Sequence, residues 1–172
     1  MVKYSCSTSN KMSKLVPVTL IGLGLTAAFC SSVLAADQLF HGNFCAPNRD
    51  HLSRIERNQW GVHNTSSSTT AFVQCPFQAP FRGDLKVNKV EAWVYDRNPS
   101  ADVSCTLTGV GIDGATIWSI TKSSSGSKEQ SQFLGFQPNS NLVGTLNMSC
   151  SLPPSTNSGV SHITTYRLIT TP

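Results

Sequence analysis

The segment Val87-Asn88-Lys89-Val90-Glu91-Ala92-Trp93-Val94-Tyr95 decides how this chain folds. From Val90 onward, small aliphatic residues occupy every second position. Side chains of a β-strand point alternately to opposite faces of a sheet, so Val90, Ala92 and Val94 are predicted to face a core. Trp93 and Tyr95 then lie together on the opposite face of that sheet.

The same period-two alternation recurs along the chain, between clusters of turn-forming residues. The predicted strands are Trp60 to Asn64, Thr70 to Cys75, Val87 to Tyr95, Val103 to Thr108, Thr116 to Thr121, Gln132 to Phe136, Leu142 to Leu152 and His162 to Ile169. Only His51 to Gln59 is predicted to be helical, over one or two turns. About eight short strands predict an all-β fold, a single antiparallel β-sandwich of the jelly-roll or immunoglobulin-like type.

The N-terminal part of the chain has the layout of a secretory signal peptide. Lys3, Lys11 and Lys14 precede an apolar run from Leu15 to Phe29, and small residues follow up to a predicted cleavage site after Ala35. The apolar run is shorter than the ~20 residues that a membrane-spanning helix needs, so no transmembrane segment is predicted.

Two domain assignments follow from this cleavage site. Residues 1–35 are predicted to be the signal peptide, and residues 36–172 a secreted β-sandwich domain that is exported to the periplasm, the cell surface or the medium. After cleavage the chain keeps ten Lys and Arg against nine Asp and Glu. Because no cluster of Lys and Arg remains to bind phosphate groups, nucleic acid is not an expected partner.

Four cysteines remain in the exported part, and an even number in an oxidising compartment predicts two disulfides. They are Cys45, Cys75, Cys105 and Cys150. No pair has the short C-x-x-C spacing of a zinc site. Cys105 and Cys150 lie on the apolar faces of their predicted strands, which favours a Cys105–Cys150 bond and leaves Cys45–Cys75. The sequence alone leaves the other two pairings open.

Several short segments also occur in a recognisable order. They are Gly61 to Asn64 before a serine-rich stretch, Val73 to Pro76, Val94 to Asn98, Val103 to Leu107, Met148 to Pro154, and Ser158 to Ile163 with Tyr166. This ordered set resembles a group of small exported bacterial proteins that have no assigned activity, over about Cys45 to Arg167. The resemblance implies a shared secreted β fold, and it transfers no catalytic residue, ligand or partner.

Two sets of residues are candidate sites. Trp93 and Tyr95 share a sheet face and could form a stacking platform for a ligand, although aromatic residues more often serve packing. In the turn from Asp96 to Asp102, the oxygens of Asp96, Asn98 and Asp102 could converge on calcium. The same residues also suit a turn that caps its own backbone. No cofactor is predicted.

Catalytic motifs are absent from the sequence. There is no G-x-S-x-G, and Ser161 and His162 are neighbours on a predicted strand, so they point to opposite faces and cannot form a dyad. We therefore expect a secreted non-enzymatic protein that binds an extracellular carbohydrate or protein. A structural component of the cell surface, matrix or a surface assembly is the alternative, and a small secreted hydrolase is the second alternative.

Overall fold

A computed structural model of the chain describes residues 37–78 and 86–171. The predicted signal peptide, residues 1–35, lies outside the described residues. The strands within the described ranges are β1 (Asp37–His41), β2 (Ala46–Pro47), β3 (Ile55–Asn58), β4 (Gly61–Asn64), β5 (Ala71–Pro76), β6 (Lys86–Tyr95), β7 (Ser104–Gly111), β8 (Thr116–Ser123), β9 (Gln132–Phe136), β10 (Ser140–Asn141), β11 (Gly144–Leu152) and β12 (His162–Thr171). All eight predicted strands are present. None of the helices among the described residues has the length and apolar character needed to cross a membrane.

The strands form two antiparallel sheets. Sheet A has the order β10-β6-β12-β4-β3, with β9 added to β6 and β1 added to β12. Sheet B has the order β2-β5-β11-β7-β8. One cluster of buried side chains draws on both sheets, so the predicted antiparallel β-sandwich is confirmed.

Alternation along the strands creates the core. In β5 and β11, every second residue is buried and those between are exposed or half-buried. Val90, Ala92 and Val94 of β6 are fully buried, as their spacing predicts. Burying a valine or leucine side chain contributes about 1.5–3 kcal/mol, so the inward set supplies most of the drive for folding.

Both disulfides have the pairing that the sequence favours. Cys105 of β7 and Cys150 of β11 face each other in register within sheet B and are bonded. Cys45, just before β2, is bonded to Cys75 of β5. All four cysteines are buried, so both bonds belong to the core.

The predicted helix over His51 to Gln59 is wrong. A 3₁₀ helix covers Arg49–Arg54, and Ile55–Asn58 pairs with β4 as strand β3. The helix prediction relied on Leu52 and Ile55 sharing one apolar stripe. Leu52 is 62% exposed, so only Ile55 packs against the core and nothing holds an α-helix in place.

Strand β12 organises sheet A because both of its edges are paired. One edge pairs with β6 over its whole length, and the other pairs first with β4 and then with β1. The change of partner occurs beside Ile163, where Gly42 packs against the backbone. A Cβ at Gly42 would lie 2.0 Å from the carbonyl oxygen of Ile163, so only glycine allows β1 to end there. This arrangement places β1 beside the middle of β12.

Candidate functional site

The outer face of sheet A carries a concavity of about 710 Å³. Strands β1, β6 and β12 supply almost all of its lining. The lining residues are Asp37, Leu39, Trp93, Tyr95, Ser131, Thr164, Thr165 and Arg167. Trp93 and Tyr95, the two residues predicted to bind a ligand, therefore lie in one concavity on the face that their spacing predicts.

Trp93 is held in place by its neighbours without being covered by them. Its ring meets that of Phe133 edge to face, with 5.7 Å between centroids. Phe133 lies opposite Trp93 on the neighbouring strand β9 and is 50% exposed. The hydroxyl of Thr164 donates a hydrogen bond of 3.0 Å to the backbone carbonyl of Trp93. The indole is thus fixed and half-buried, which leaves part of its surface open to a ligand.

Tyr95 belongs to a row of titratable side chains that crosses four strands. Its ring stacks on His162, with 4.9 Å between centroids and 15° between planes. His162 is the register partner of His63, and His63 lies opposite Glu56. The Nε2 of His63 is 3.4 Å from a carboxylate oxygen of Glu56. The sequence does not reveal this row, because its members are far apart along the chain and only strand pairing joins them.

The environment of His162 disfavours its charged form. Burial chiefly lowers the pKa of His162, opposed by a backbone contact with Val160, and the nearby charges of His63 and Arg97 lower it further. The ring under Tyr95 is therefore held neutral at neutral pH.

At the other end of the concavity, Arg167 of β12 is paired with two carboxylates. Its Nε donates to Oδ1 of Asp37 at 2.6 Å, and its Nη2 donates to Oδ2 of the same residue. Its Nη1 is 3.6 Å from a carboxylate oxygen of Glu91, which is only 6% exposed. Glu91 also pairs with Lys89. Four charged groups of two signs are therefore joined in one network.

This pairing fixes the ionisation of Asp37. The hydrogen bonds from Arg167 lower the pKa of the Asp37 carboxyl, and the same bonds raise the pKa of Arg167. A general acid in glycoside hydrolysis needs the opposite, a carboxyl whose pKa is raised. Asp37 is therefore suited to accept hydrogen bonds from a ligand and not to protonate one.

The turn proposed for calcium has its oxygens occupied by the protein. The carboxylate of Asp96 is fully buried and accepts from Ser124 Oγ at 2.5 Å and from Ser161 Oγ at 3.0 Å. It also accepts from the backbone N–H groups of Asn98 and Val103.

The other two proposed calcium ligands are used in the same way. The side-chain oxygen of Asn98 accepts from two backbone N–H groups that follow it in the turn. Asp102 Oδ1 accepts from the backbone of Gly126. The three side chains thus cap backbone groups, as the structural alternative expects, and calcium binding at this turn stays a prediction.

Other candidates are separated by the fold. Ser161 is buried and turned to Asp96, while His162 lies on the outer face, so they form no dyad. Trp60 is 64% exposed in the turn between β3 and β4, and Trp118 lies on sheet B against Gly109. Among the described residues, no three His, Cys, Asp or Glu side chains are placed to hold a metal ion.

Comparison with known proteins gives a fold and no family. The sequence matches no protein-family model and no curated protein. Among solved structures, the xylan-binding module CBM15 superposes with a TM-score of 0.51 at 11% identity, over 79% of this chain and 97% of the module. A structure of the infectious bursal disease virus Gx strain gives a TM-score of 0.50 at 11% identity, over 90% of this chain and 36% of that one.

A family two carbohydrate esterase from Cellvibrio japonicus gives a TM-score of 0.49 at 8% identity, over 80% of this chain. The present chain spans about a third of that esterase and of the viral chain, since it covers 35% and 36% of their lengths. At these identities the likeness to CBM15 and to the viral chain concerns the sandwich fold alone.

Proposed function

We propose that this protein is exported and binds an extracellular carbohydrate without turning it over. The observation that carries the proposal is the meeting of Trp93, Tyr95 and the Asp37–Arg167 pair in one concavity. A pyranose ring presents a C–H face that stacks on an aromatic ring and hydroxyl groups that hydrogen-bond to charged side chains. Aromatic walls with a few convergent polar groups are the usual composition of such sites.

The fold supports the same proposal. CBM15 is a xylan-binding module, and nearly its whole length superposes on this chain. The same sandwich fold can therefore serve a sugar-binding module, and the likeness supports the proposal by analogy. The lowered pKa of Asp37 disfavours this residue as a general acid.

Export is supported by the cysteine chemistry. Two buried disulfides in one small domain are typical of proteins that fold outside the reducing cytoplasm. The predicted signal peptide supports the same destination. N-terminal sequencing of the exported protein is expected to begin at Ala36 or Asp37, and an intact Met1 in the exported fraction would contradict cleavage.

A glycan array tests the function. The protein, purified from an oxidising secretion host, is expected to bind one class of polysaccharide or oligosaccharide. Trp93→Ala is expected to weaken that binding about tenfold or more, because stacking of a sugar ring on the indole is lost while the core stays intact. Phe72→Ala is the matched control, since Phe72 is an exposed aromatic residue on the outer face of sheet B.

Two outcomes contradict the proposal. Absence of binding to any glycan on a broad array removes it. So does binding that survives in Trp93→Ala and is lost in Phe72→Ala, because the ligand then occupies sheet B. Thermal unfolding of both variants shows whether a loss of binding is only a loss of fold.

One observation favours the structural alternative. Strand β8 ends sheet B, and its outer edge has no strand partner in the described part of the chain. Ile117 in β8 and Ile112 in the turn before it are exposed. An unpaired edge with exposed apolar residues can add a strand from another molecule, as in a surface assembly. Light scattering across a concentration series tests this: a monomer throughout contradicts the assembly role.

A further inference from the structure

The charged residues at one end of the concavity determine which class of sugar can bind there. The inference from them rests on the proposed carbohydrate function. We propose that the concavity selects neutral sugars over uronic acids, because the guanidinium of Arg167 is already occupied by Asp37. The ligand class is therefore a neutral glycan whose hydroxyl groups contact the Asp37–Arg167 pair while a ring face stacks near Trp93.

The hydrogen-bond geometry of Arg167 carries the argument. A guanidinium binds a carboxylate best with two parallel N–H donors. In this protein the Nε and Nη2 donors are both used by the carboxylate of Asp37. The carboxylate of a uronic acid would have to displace Asp37 from this edge. A sugar hydroxyl has no such requirement, since it accepts one hydrogen bond from a remaining N–H and donates one to Asp37.

Charge balance points the same way. Asp37 and Arg167 are the charged residues among those that line the concavity, one of each sign. Behind them, Glu91 is nearly buried and pairs with both Arg167 and Lys89. Lys89 lies against Glu91 with its ammonium 5.2 Å from the ring centroid of Phe133. The four side chains sum to zero, so they offer a uronate no net attraction to offset the loss of its hydration.

Two of the network's members lie on strands that are paired with β12. Glu91 lies on the central strand β6 opposite Arg167 in register, and its side chain is almost fully covered. Asp37 lies on strand β1, opposite Ile169 of strand β12. Backbone pairing holds β1 along β12. The arrangement is therefore built into the sheet and does not depend on a loop.

Matched oligosaccharides test the inference. The probes are cellohexaose with the β-1,4-glucuronate hexamer, and mannohexaose with the β-1,4-mannuronate hexamer, which differ only by a carboxylate in place of the primary alcohol. The neutral and uronate-containing glycans that the array returns as binders are added to this set. Titration calorimetry of the exported protein is expected to give tighter binding to neutral members than to acidic ones.

The variant Asp37→Asn is expected to shift this preference. It keeps a side chain of the same size that accepts from Arg167, and it leaves one positive charge unbalanced at the surface. The ratio of acidic to neutral affinity is expected to rise roughly two- to five-fold, as for an exposed charge pair. The gain is expected to shrink with added salt. Asp113→Asn, at the far turn between β7 and β8, is the charge-matched control and is expected to leave the ratio unchanged.

The outcomes separate the two proposals. Lack of binding to any glycan overturns the carbohydrate function and this inference with it. Glycan binding with equal or greater affinity for uronates overturns the inference and leaves the function standing. An unchanged ratio in folded Asp37→Asn also overturns the inference. If Asp37→Asn does not fold, Glu91→Gln removes the other carboxylate of the network, and the same rise in the ratio is required of it.

Discussion

The two outer faces of this sandwich are built from different chemistry. On sheet B, Ser104, Thr106 and Thr108 of β7 lie opposite Ser123, Thr121 and Ser119 of β8. Their hydroxyl groups pair across the strands, at 2.9 Å between Thr106 and Thr121 and 3.0 Å between Ser104 and Ser123. On sheet A, the corresponding outward positions hold aromatic rings, histidines and a network of four charged groups.

The difference separates residues that the core requires from residues that it does not require. Both sheets turn similar aliphatic residues inward, so the core does not require the outward residues to differ. Small hydroxyl residues suit a strand exposed to water, and they satisfy one another. The half-exposed indole and the nearly buried glutamate of sheet A are not required by the core, which fits the carbohydrate site proposed above.

Removing a core disulfide is expected to cause the largest loss of stability. This change also tests whether the two sheets unfold as one unit. Replacing Cys105 and Cys150 together with alanine removes a disulfide that closes a separation of 45 residues. The free energy of unfolding is expected to fall by about 2–4 kcal/mol. Denaturant unfolding followed by fluorescence and by circular dichroism measures it. The Cys45→Ala, Cys75→Ala double variant is the comparison, and it opens a shorter separation of 30 residues.

Both signals are expected to report a single transition in each of these variants. If sheet B unfolds at lower denaturant while the Trp93 face stays folded, the two faces are separate cooperative units and the shared-core argument is wrong.

The next largest loss of stability is expected from a substitution in the turn that connects β6 of sheet A to β7 of sheet B. Asp96→Asn keeps the shape of the side chain but replaces an acceptor oxygen with a donor that faces hydrogen-bond donors. A buried mismatch of this kind costs about 1–3 kcal/mol. Asp102→Asn, an exposed member of the same turn, serves as the control and is expected to change stability much less.

The effect of calcium on thermal stability distinguishes a calcium site from a turn that only caps its own backbone. The melting temperature of the wild-type protein is expected to be the same with calcium and with a chelator, because the oxygens of Asp96 already have protein donors. A rise in melting temperature with calcium that Asp96→Asn abolishes would restore the metal-site hypothesis.

Acid is expected to destabilise the whole fold through a group on sheet A, and by a smaller amount. The pKa of His162 is lower in the folded protein than in the unfolded chain, so the unfolded chain binds a proton more readily. Stability is therefore full above the ordinary histidine pKa of about 6.5 and falls as pH drops from there through the lowered value. Thermal unfolding between pH 7.5 and pH 5 measures the slope. His162→Gln is expected to flatten it, and an unchanged slope would assign the effect to another group.

Changes on the outer face of sheet B are expected to have the smallest effect. Thr106→Val with Thr121→Val removes a cross-strand pair of exposed hydroxyls and keeps the β-branched shape. Stability is expected to stay within about 0.5 kcal/mol of wild type. Glycan binding is expected to be unchanged, whereas Trp93→Ala abolishes most of it. Loss of glycan binding in the threonine variant would move the ligand site to sheet B.

Strand periodicity is why so much of the fold is predictable here. Long strands such as β6, β11 and β12 show enough alternating positions to reveal both their existence and their inward face. Strands β1, β2, β3 and β10 have two to five residues and no clear alternation, so the sequence does not reveal them. They add to the edges of the long strands, and only the folded partner strands define them.

The candidate site was half predictable for the same reason. Trp93 and Tyr95 share a face because they are two residues apart on one strand. Asp37 and Arg167 are 130 residues apart, and they meet because β1 pairs with β12. No local pattern carries that information. The two histidines on the same face, His63 and His162, likewise meet through strand register alone.

The pairing of β1 with β12 also has a consequence for engineering the chain. Asp37 lies opposite Ile169, so the first and last described strands start and finish at the same end of sheet A. A linker of about four to six residues can join Thr171 to Asp37, given ~3.3–3.6 Å per extended residue. New termini can then be opened at Gly114, in the turn between β7 and β8, where no other group lies within 4 Å of its Cβ position. Such a circular permutant keeps every described strand pair, and its two free ends leave from sheet B, whereas the concavity is lined by strands of sheet A.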